Sequence, residues 1–293
     1  MQRGAIVAGG LALAFGLASC GGGTSATGGQ GGGGNNAILT AYHATVAAKS
    51  AKVSMHEELA GAPGGSGSQG HISGQGLISF QRKAGSLNLS IPSAGTTQLR
   101  ILFPDLYLHL PRRARGRVPG HKPWLEINLD KVAQAEYGAS FSELTFQDPT
   151  QRLSYLEGVS AKGIKRAGTA TIRGVATTHY KVTVSLAKMA AQRGPKAQKA
   201  VKKLEAKLHT STIPAEVWVD HKGRVRQLRY EFPLPVRTAT SSSAKGKRPS
   251  IRATTDYYDF GVPVKVTAPP KSNVYNETAQ ATKAAHGSTP PTT

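Results

Sequence analysis

The sequence has a single cysteine, Cys20, in 293 residues. One thiol cannot form an intramolecular disulfide, so the fold must be stabilised by its core alone. Acidic residues are also few, because 16 Asp and Glu stand against 37 Lys and Arg, giving a formal net charge of +21. No carboxylate pair stands out as the acid and base of an enzyme. The positive charge favours anionic partners.

The apolar stretch at residues 5–18 is shorter than the ~20 residues that a membrane-spanning helix needs. It follows a lone basic residue, Arg3, and ends in small residues, a pattern typical of a secretory signal peptide. The residues that end it, Leu17-Ala18-Ser19-Cys20, resemble the bacterial lipobox. In a lipobox the signal is cut just before a cysteine whose thiol has received a diacylglycerol group.

We therefore predict that residues 1–19 are a lipoprotein signal peptide. Lipidated Cys20 would then anchor the protein on the outer face of the cytoplasmic membrane. The alternative is an ordinary signal peptide in which Cys20 is only a small apolar residue.

Composition divides the rest of the chain into three parts. Residues 20–36 are almost entirely Gly, Ser, Thr, Gln and Asn, which predicts a flexible tether. Residues 270–293 are rich in Pro, Thr, Ala and Lys, which predicts a disordered tail. Residues 37–269 are long enough to form one domain with a sizeable core.

Hydrophobic periodicity within this domain predicts mostly strands. Helical spacing occurs at residues 37–52, 148–158 and 195–209. Elsewhere apolar and polar residues alternate over about ten segments that are separated by turn residues. Strands do not alternate regularly with helices, so the predicted fold class is α+β with an antiparallel sheet.

Two successive strand segments carry a strict alternation of large apolar residues, which places these residues on one face. They are Leu99, Ile101, Phe103, Leu106, Leu108 and Leu110. Such a face either packs as a solid core or leaves a groove for an apolar ligand. We interpret these residues as the lining of an apolar cavity.

Two basic segments are candidates for contact with anionic headgroups, at about 1 kcal/mol for each cation near the surface. The first is a loop after these strands that contains Arg112, Arg113, Arg115 and Arg117. The second is the helix at residues 195–209, with five lysines. The alternative is that both segments are simply solvated surface.

Short matches to catalytic motifs lack the context that chemistry requires. The GxGxxG match at residues 65–70 precedes a strand rather than a helix. Asp259-Phe260-Gly261 matches the kinase magnesium motif, but the sequence has no glycine-rich ATP-binding loop to accompany it. Ser185 and Lys188 match SxxK, but the S-D-N and K-T-G elements that accompany SxxK in enzymes are absent from the sequence. His56 lacks the second histidine of HExxH, and the nine histidines are scattered singly. We therefore expect no catalytic residue, no metal site and no cofactor, and a protein that is not an enzyme.

Other motifs carry a family resemblance. They are Val217-Trp218-Val219-Asp220 with Gly223, Gly174-Val175 leading into His179-Tyr180, and Asp259-Phe260-Gly261 followed by Pro263-Val264. Their order resembles actinobacterial lipoproteins of the LppX/LprG type, of the LolA-like superfamily, over most of residues 37–269. The resemblance implies a strongly curved antiparallel sheet, a half-open β-barrel, closed by helices around an apolar cavity. The arginine loop and the lysine-rich helix depart from the pattern.

The function that this resemblance implies is that of a membrane-anchored extracytoplasmic lipoprotein that binds and carries lipids or lipid-modified molecules in the cell envelope. Expected partners are membrane lipids, as anchor and ligand, an anionic phospholipid or wall-polymer surface, and a lipid exporter. Nucleic acid is not expected as a partner of an exported protein. The alternative is an envelope sensor or regulatory lipoprotein with the same fold and no transport role.

Overall fold

The computed structural model describes residues 33–60, 71–92, 95–138, 163–191, 194–233 and 250–286. The predicted signal peptide and Cys20 lie outside the described residues, as does most of the predicted tether. So do the predicted helix at residues 148–158 and the GxGxxG match at residues 65–70.

Twelve strands form one sheet, in the order β12-β6-β5-β4-β3-β2-β1-β11-β10-β9-β8-β7. Neighbouring strands are antiparallel, except for the parallel pair of β12 and β6. The strands are β1 (Ser50–Ala60), β2 (His71–Ser79), β3 (Ala84–Ile91), β4 (Gly95–Leu102), β5 (Asp105–His109), β6 (Trp124–Asn128), β7 (Ile164–Ile172), β8 (Val175–Ser185), β9 (Thr212–Asp220), β10 (Val225–Pro233), β11 (Ser250–Tyr258) and β12 (Val274–Asn276). The α+β class and the mostly antiparallel sheet agree with the prediction from the sequence.

Six α-helices accompany the sheet in the described part of the chain. They are α1 (Gly33–Ala47), α2 (Arg112–Arg115), α3 (Leu129–Tyr137), α4 (Leu186–Ala191), α5 (Gly194–Leu208) and α6 (Thr278–His286). The first helix was predicted to continue to residue 52, but it ends at Ala47. Lys49 then has a φ of 69°, and Ser50 begins β1.

Strand directions give the sheet two ends. End A is the end at which the chain passes from β1 to β2, from β3 to β4 and from β5 to β6. α4 and α5 also leave β8 and rejoin β9 at end A. End B carries the opposite turns, including those between β2 and β3 and between β9 and β10.

The sheet curves so that helices connected to strands near its two edges come together. Nine strand spacings separate β6 from β8, which is about 43 Å in a flat sheet. The helix α5 is only about 22 Å long. Nevertheless α3, which follows β6, contacts α5, which follows β8, and Lys203 Nζ lies beside Gly138. The terminal strands β12 and β7 do not pair with each other, so the sheet is not closed.

Gly76 in β2 marks a close approach of two strands. A Cβ at this position would lie only 1.9 Å from the backbone oxygen of Ser86 in β3. A glycine inside a strand commonly marks such a bend or close approach. Any side chain at position 76 would force β2 and β3 apart.

The predicted disorder of residues 270–293 is wrong for residues 271–286. Residues 262–272 cross the outer side of the sheet, and their backbone oxygens accept hydrogen bonds from Arg82 (3.5 Å), Arg100 (3.1 Å) and Lys122. β12 then pairs with β6, and α6 packs on α3. The order of residues 271–286 comes mainly from strand pairing with β6 and packing on α3, which are contacts with distant parts of the chain that composition does not reveal.

Candidate apolar binding face and its rim

One face of the sheet carries the hydrophobic core, and we call it the apolar face. On β1 to β5 it presents Val53, Met55, Leu87, Leu89, Leu99, Ile101 and Leu106, and on β8 to β10 it presents Val182, Val184, Ile213, Val217 and Val225. Helices α1, α4 and α5 contribute Ile38, Leu186 and Val201 to the same cluster. The face is therefore lined by strands and covered by helices.

The strand register and the hydrophobic cluster place four of the six predicted apolar residues on this face. Leu99 lies opposite Leu108, and Ile101 lies opposite Leu106. Leu99, Ile101 and Leu106 are between 0% and 3% exposed, because neighbouring protein atoms cover them. Leu108 packs against the same cluster but stays partly exposed. Among these four residues, Leu108 is the side chain that an added ligand can reach most directly.

The other two predicted residues lie beyond the paired strands. Phe103 is in the turn between β4 and β5, partly exposed, with Lys83 Nζ 5.6 Å from the centre of its ring. Leu110 follows β5 and is buried, and its backbone N–H donates to Pro123. These two residues therefore flank the apolar face at its opposite ends, Phe103 at end B and Leu110 at end A.

Glu57 places a carboxyl group on the apolar face near end A. It lies opposite Ala253 of β11 and Ile72 of β2, and it is only 8% exposed. Burial raises the pKa of Glu57 above its usual range, because a desolvated carboxylate is disfavoured. Sequence analysis missed this residue, although its spacing of two from Met55 was the available signal.

The four predicted headgroup-binding arginines lie at end A, between β5 and β6. Residues 112–115, expected in a loop, form the short helix α2. Arg112, Arg113 and Arg117 are exposed. Arg115 instead folds back, because its Nε donates to the Leu110 oxygen at 3.1 Å and its Nη2 lies 3.2 Å from His109 Nε2.

His109 explains the position of Arg115. Burial, followed by the positive charges of Arg115 and Arg100, lowers the pKa of His109. A neutral imidazole can accept a hydrogen bond from the guanidinium through its unprotonated nitrogen. Arg115 is therefore held by its neighbours in the fold, and Arg112, Arg113 and Arg117 are the more exposed arginines of this segment.

The helix α5 has the amphipathic character that the sequence predicts. Ala197, Ala200 and Val201 are buried. The opposite side carries exposed lysines, which are Lys196, Lys199, Lys202 and Lys203. Both basic segments thus connect to the sheet at end A.

Two of the catalytic-motif matches have structural roles. Ser185 Oγ accepts a hydrogen bond from the backbone N–H of Lys188 at 3.4 Å, at the start of α4. Asp259 forms an ion pair with Lys52 at 2.9 Å, and the Phe260 ring lies 4.4 Å from the Arg224 guanidinium. These residues stabilise a helix start and the end of β11.

His56 and His71, which stand apart in the sequence, come together in the fold. Their rings stack with centroids 5.4 Å apart, on the outer face of β1 and β2. The two residues lie on neighbouring strands, so their contact depends on the strand register. The alternation of residues in β1 and β2 predicts which side chains of each strand share a face, but it does not predict which residues of the two strands are paired.

No family model and no curated protein matches the chain. The chain is similar to the solved structure of the lipoprotein LppX from Mycobacterium tuberculosis, with 17% identity, 79% of this chain and 98% of that chain covered, and a TM-score of 0.46. It is also similar to LprF from Mycobacterium bovis, with 11% identity, coverages of 80% and 96%, and a TM-score of 0.39.

A third similar structure is a LolA superfamily protein from Nitrosomonas europaea, with 11% identity, 82% of this chain and 96% of that chain covered, and a TM-score of 0.29. LppX is of the lipoprotein type that the motifs of this chain resemble. The fold class itself rests on the strand order and register given above. Among the described helices, none is long and apolar enough to span a membrane.

Proposed function

We propose that the protein is a lipoprotein, anchored through Cys20 on the outer face of the cytoplasmic membrane, that binds and carries lipids or lipid-modified molecules in the cell envelope. The observation that supports this proposal best is the apolar face. Aliphatic side chains continue across β1 to β5, and helices rather than a second sheet cover them. Helices can shift on such a face without breaking strand pairing.

The energetics of this face suit reversible binding. Burying ten methylene groups of an acyl chain contributes about 8 kcal/mol. This gross value corresponds to roughly micromolar affinity before the costs of association are subtracted. A carrier needs affinity in this range, because it must release what it binds.

Two features of end A support the same function. The exposed arginines between β5 and β6 give this end positive charge, which favours binding to anionic phospholipids. Glu57, buried on the apolar face near the same end, supplies a polar group that can bind a hydroxyl or amine of the ligand. A ligand would therefore lie with its acyl chain along the apolar face and its polar group towards end A.

The experiment that tests this function is mass spectrometry of organic extracts from the full protein, purified from its native envelope. We expect a lipid in near-stoichiometric amount, and much less from a Leu108→Trp variant purified in parallel. A wild-type protein that carries no lipid would overturn the carrier function. If that lipid-free protein also purified with a stoichiometric protein partner, the sensor or regulatory function would take its place.

A further inference from the structure

A cluster of metal-binding side chains lies on the outer face of β1 and β2 near end A. His71 lies directly opposite Glu58 in the strand register, and His56 is two residues from Glu58 on the same face. One ligand atom from each of the three residues lies within 4.8 Å of the other two. Both histidines are exposed, and Glu58 is half-buried.

The donor set is one that divalent transition metals prefer. Imidazole nitrogen and carboxylate oxygen bind Zn²⁺ at about 2.0–2.2 Å, and three protein ligands leave a fourth position for water. Ligand atoms around a tetrahedral ion at such distances are separated by roughly 3.3 Å. Small side-chain rotations would therefore bring these three groups onto one ion.

We propose that His56, Glu58 and His71 bind one divalent transition-metal ion of the zinc class. The backbone already fixes the three residues, because two belong to one strand and the third is the cross-strand neighbour of one of them. The ion joins the last part of β1 to the first part of β2. It is separate from the apolar face, since these side chains lie on the opposite side of the sheet.

Arg252 on β11 modulates this site. Its Nη1 lies 2.6 Å from Glu58 Oε1, and its Nη2 lies 3.5 Å from Glu231. The guanidinium holds one carboxylate oxygen and leaves the second for the metal. The carboxylate of Glu231 partly neutralises the positive charge of Arg252, and this reduces the repulsion between Arg252 and a bound cation.

The test is isothermal titration of the whole protein, prepared without a polyhistidine tag, with ZnCl₂ and separately with MgCl₂. We expect one Zn²⁺ per chain and no comparable binding of Mg²⁺, which prefers oxygen ligands. The double variant His56→Ala/His71→Ala should bind Zn²⁺ at least roughly 100-fold more weakly. Removing a residue that only hydrogen-bonds to a metal ligand already lowers metal affinity by about 10–100-fold, and this variant removes two ligands themselves.

His221→Ala is the matched control, because His221 is an exposed histidine on the turn between β9 and β10 at end B. This variant should bind Zn²⁺ as the parent does. Zn²⁺ should also raise the unfolding temperature of the parent and of His221→Ala, but not that of the double variant. Equal Zn²⁺ affinity in the double variant and the parent, or no Zn²⁺ binding by the parent, would overturn the proposal.

Discussion

Leu99 and Leu108 lie directly opposite each other on β4 and β5, but Leu99 is completely buried and Leu108 is not. Opposed residues of an antiparallel pair project from the same face. The difference in burial therefore reflects how many protein atoms lie over each residue and not a difference of face. Protein atoms fill the space above Leu99, whereas space remains beside Leu108.

This difference gives a paired prediction. Leu108→Trp should change the free energy of unfolding by less than about 1 kcal/mol, because the larger ring enters open space, and it should remove most of the bound lipid. Leu99→Trp should cost about 1–3 kcal/mol, because it overpacks a filled region. Thermal and denaturant unfolding, together with lipid extraction, measure both effects. Equal destabilisation by both variants would mean that the core is solid at Leu108 as well.

The lipid anchor is tested by Cys20→Ala. If a diacylglycerol group on Cys20 holds the protein, this variant should move from the membrane fraction to the soluble fraction after detergent-free washing. Ser25→Ala, which changes a residue of the same glycine-rich segment, is the control and should stay in the membrane fraction. Retention of Cys20→Ala with the signal still cut before residue 20 would contradict the anchor.

The exposed arginines at end A should govern binding to anionic membranes. In a Cys20→Ala background, replacing Arg112, Arg113 and Arg117 with Gln should weaken binding to anionic vesicles by roughly 100-fold, at about 1 kcal/mol for each cation. High salt should weaken parent binding as well, because the Debye length falls from ~10 Å at 0.1 M to ~3 Å at 1 M.

Arg115 is left unchanged in this variant because it binds Leu110 and His109. The comparison is a variant with Lys196, Lys199 and Lys202 replaced by Gln, which removes the same charge from α5. Vesicle co-sedimentation with and without anionic lipid measures binding. If the arginine variant sediments as the parent does while the lysine variant does not, α5 rather than α2 contacts the membrane.

Glu57 predicts a pH dependence of stability. Its pKa is raised in the folded protein by burial, so folding is opposed by ionisation of this group. Below the pKa of Glu57 in the unfolded chain, the carboxyl group is protonated in both states and has no effect on the pH dependence of stability. As the pH rises from that pKa to the raised pKa of the folded protein, stability is lost. Glu57→Gln should therefore be more stable than the parent at pH 7, and the two should converge towards pH 4. Denaturant unfolding at both pH values measures this, and a constant difference between the two proteins would contradict it.

Local patterns in the sequence predicted much of the sheet, because alternation reports which residues share a face. This is why Leu99, Ile101, Leu106 and Leu108 were assigned to one surface. The burial of each residue depends on helices from distant parts of the chain, so Leu99 and Leu108 could not be distinguished. The contacts of His56 with His71 and of Arg115 with His109 depend on register and loop geometry, which composition and periodicity do not contain.

The short strand β12 has a consequence for how the protein meets other chains. By pairing with β6 it occupies one border of the sheet, so within the described part of the chain β7 is the long strand left with an unpaired side. Lys165 and Arg166 are exposed on β7, and its register with β8 shifts between Arg166 and Gly168. Charge and an irregular register both discourage the addition of a foreign strand. A partner that extends this sheet would therefore be confined to the regular stretch from Thr169 to Ile172, which makes uncontrolled edge-to-edge association of copies of this protein unfavourable.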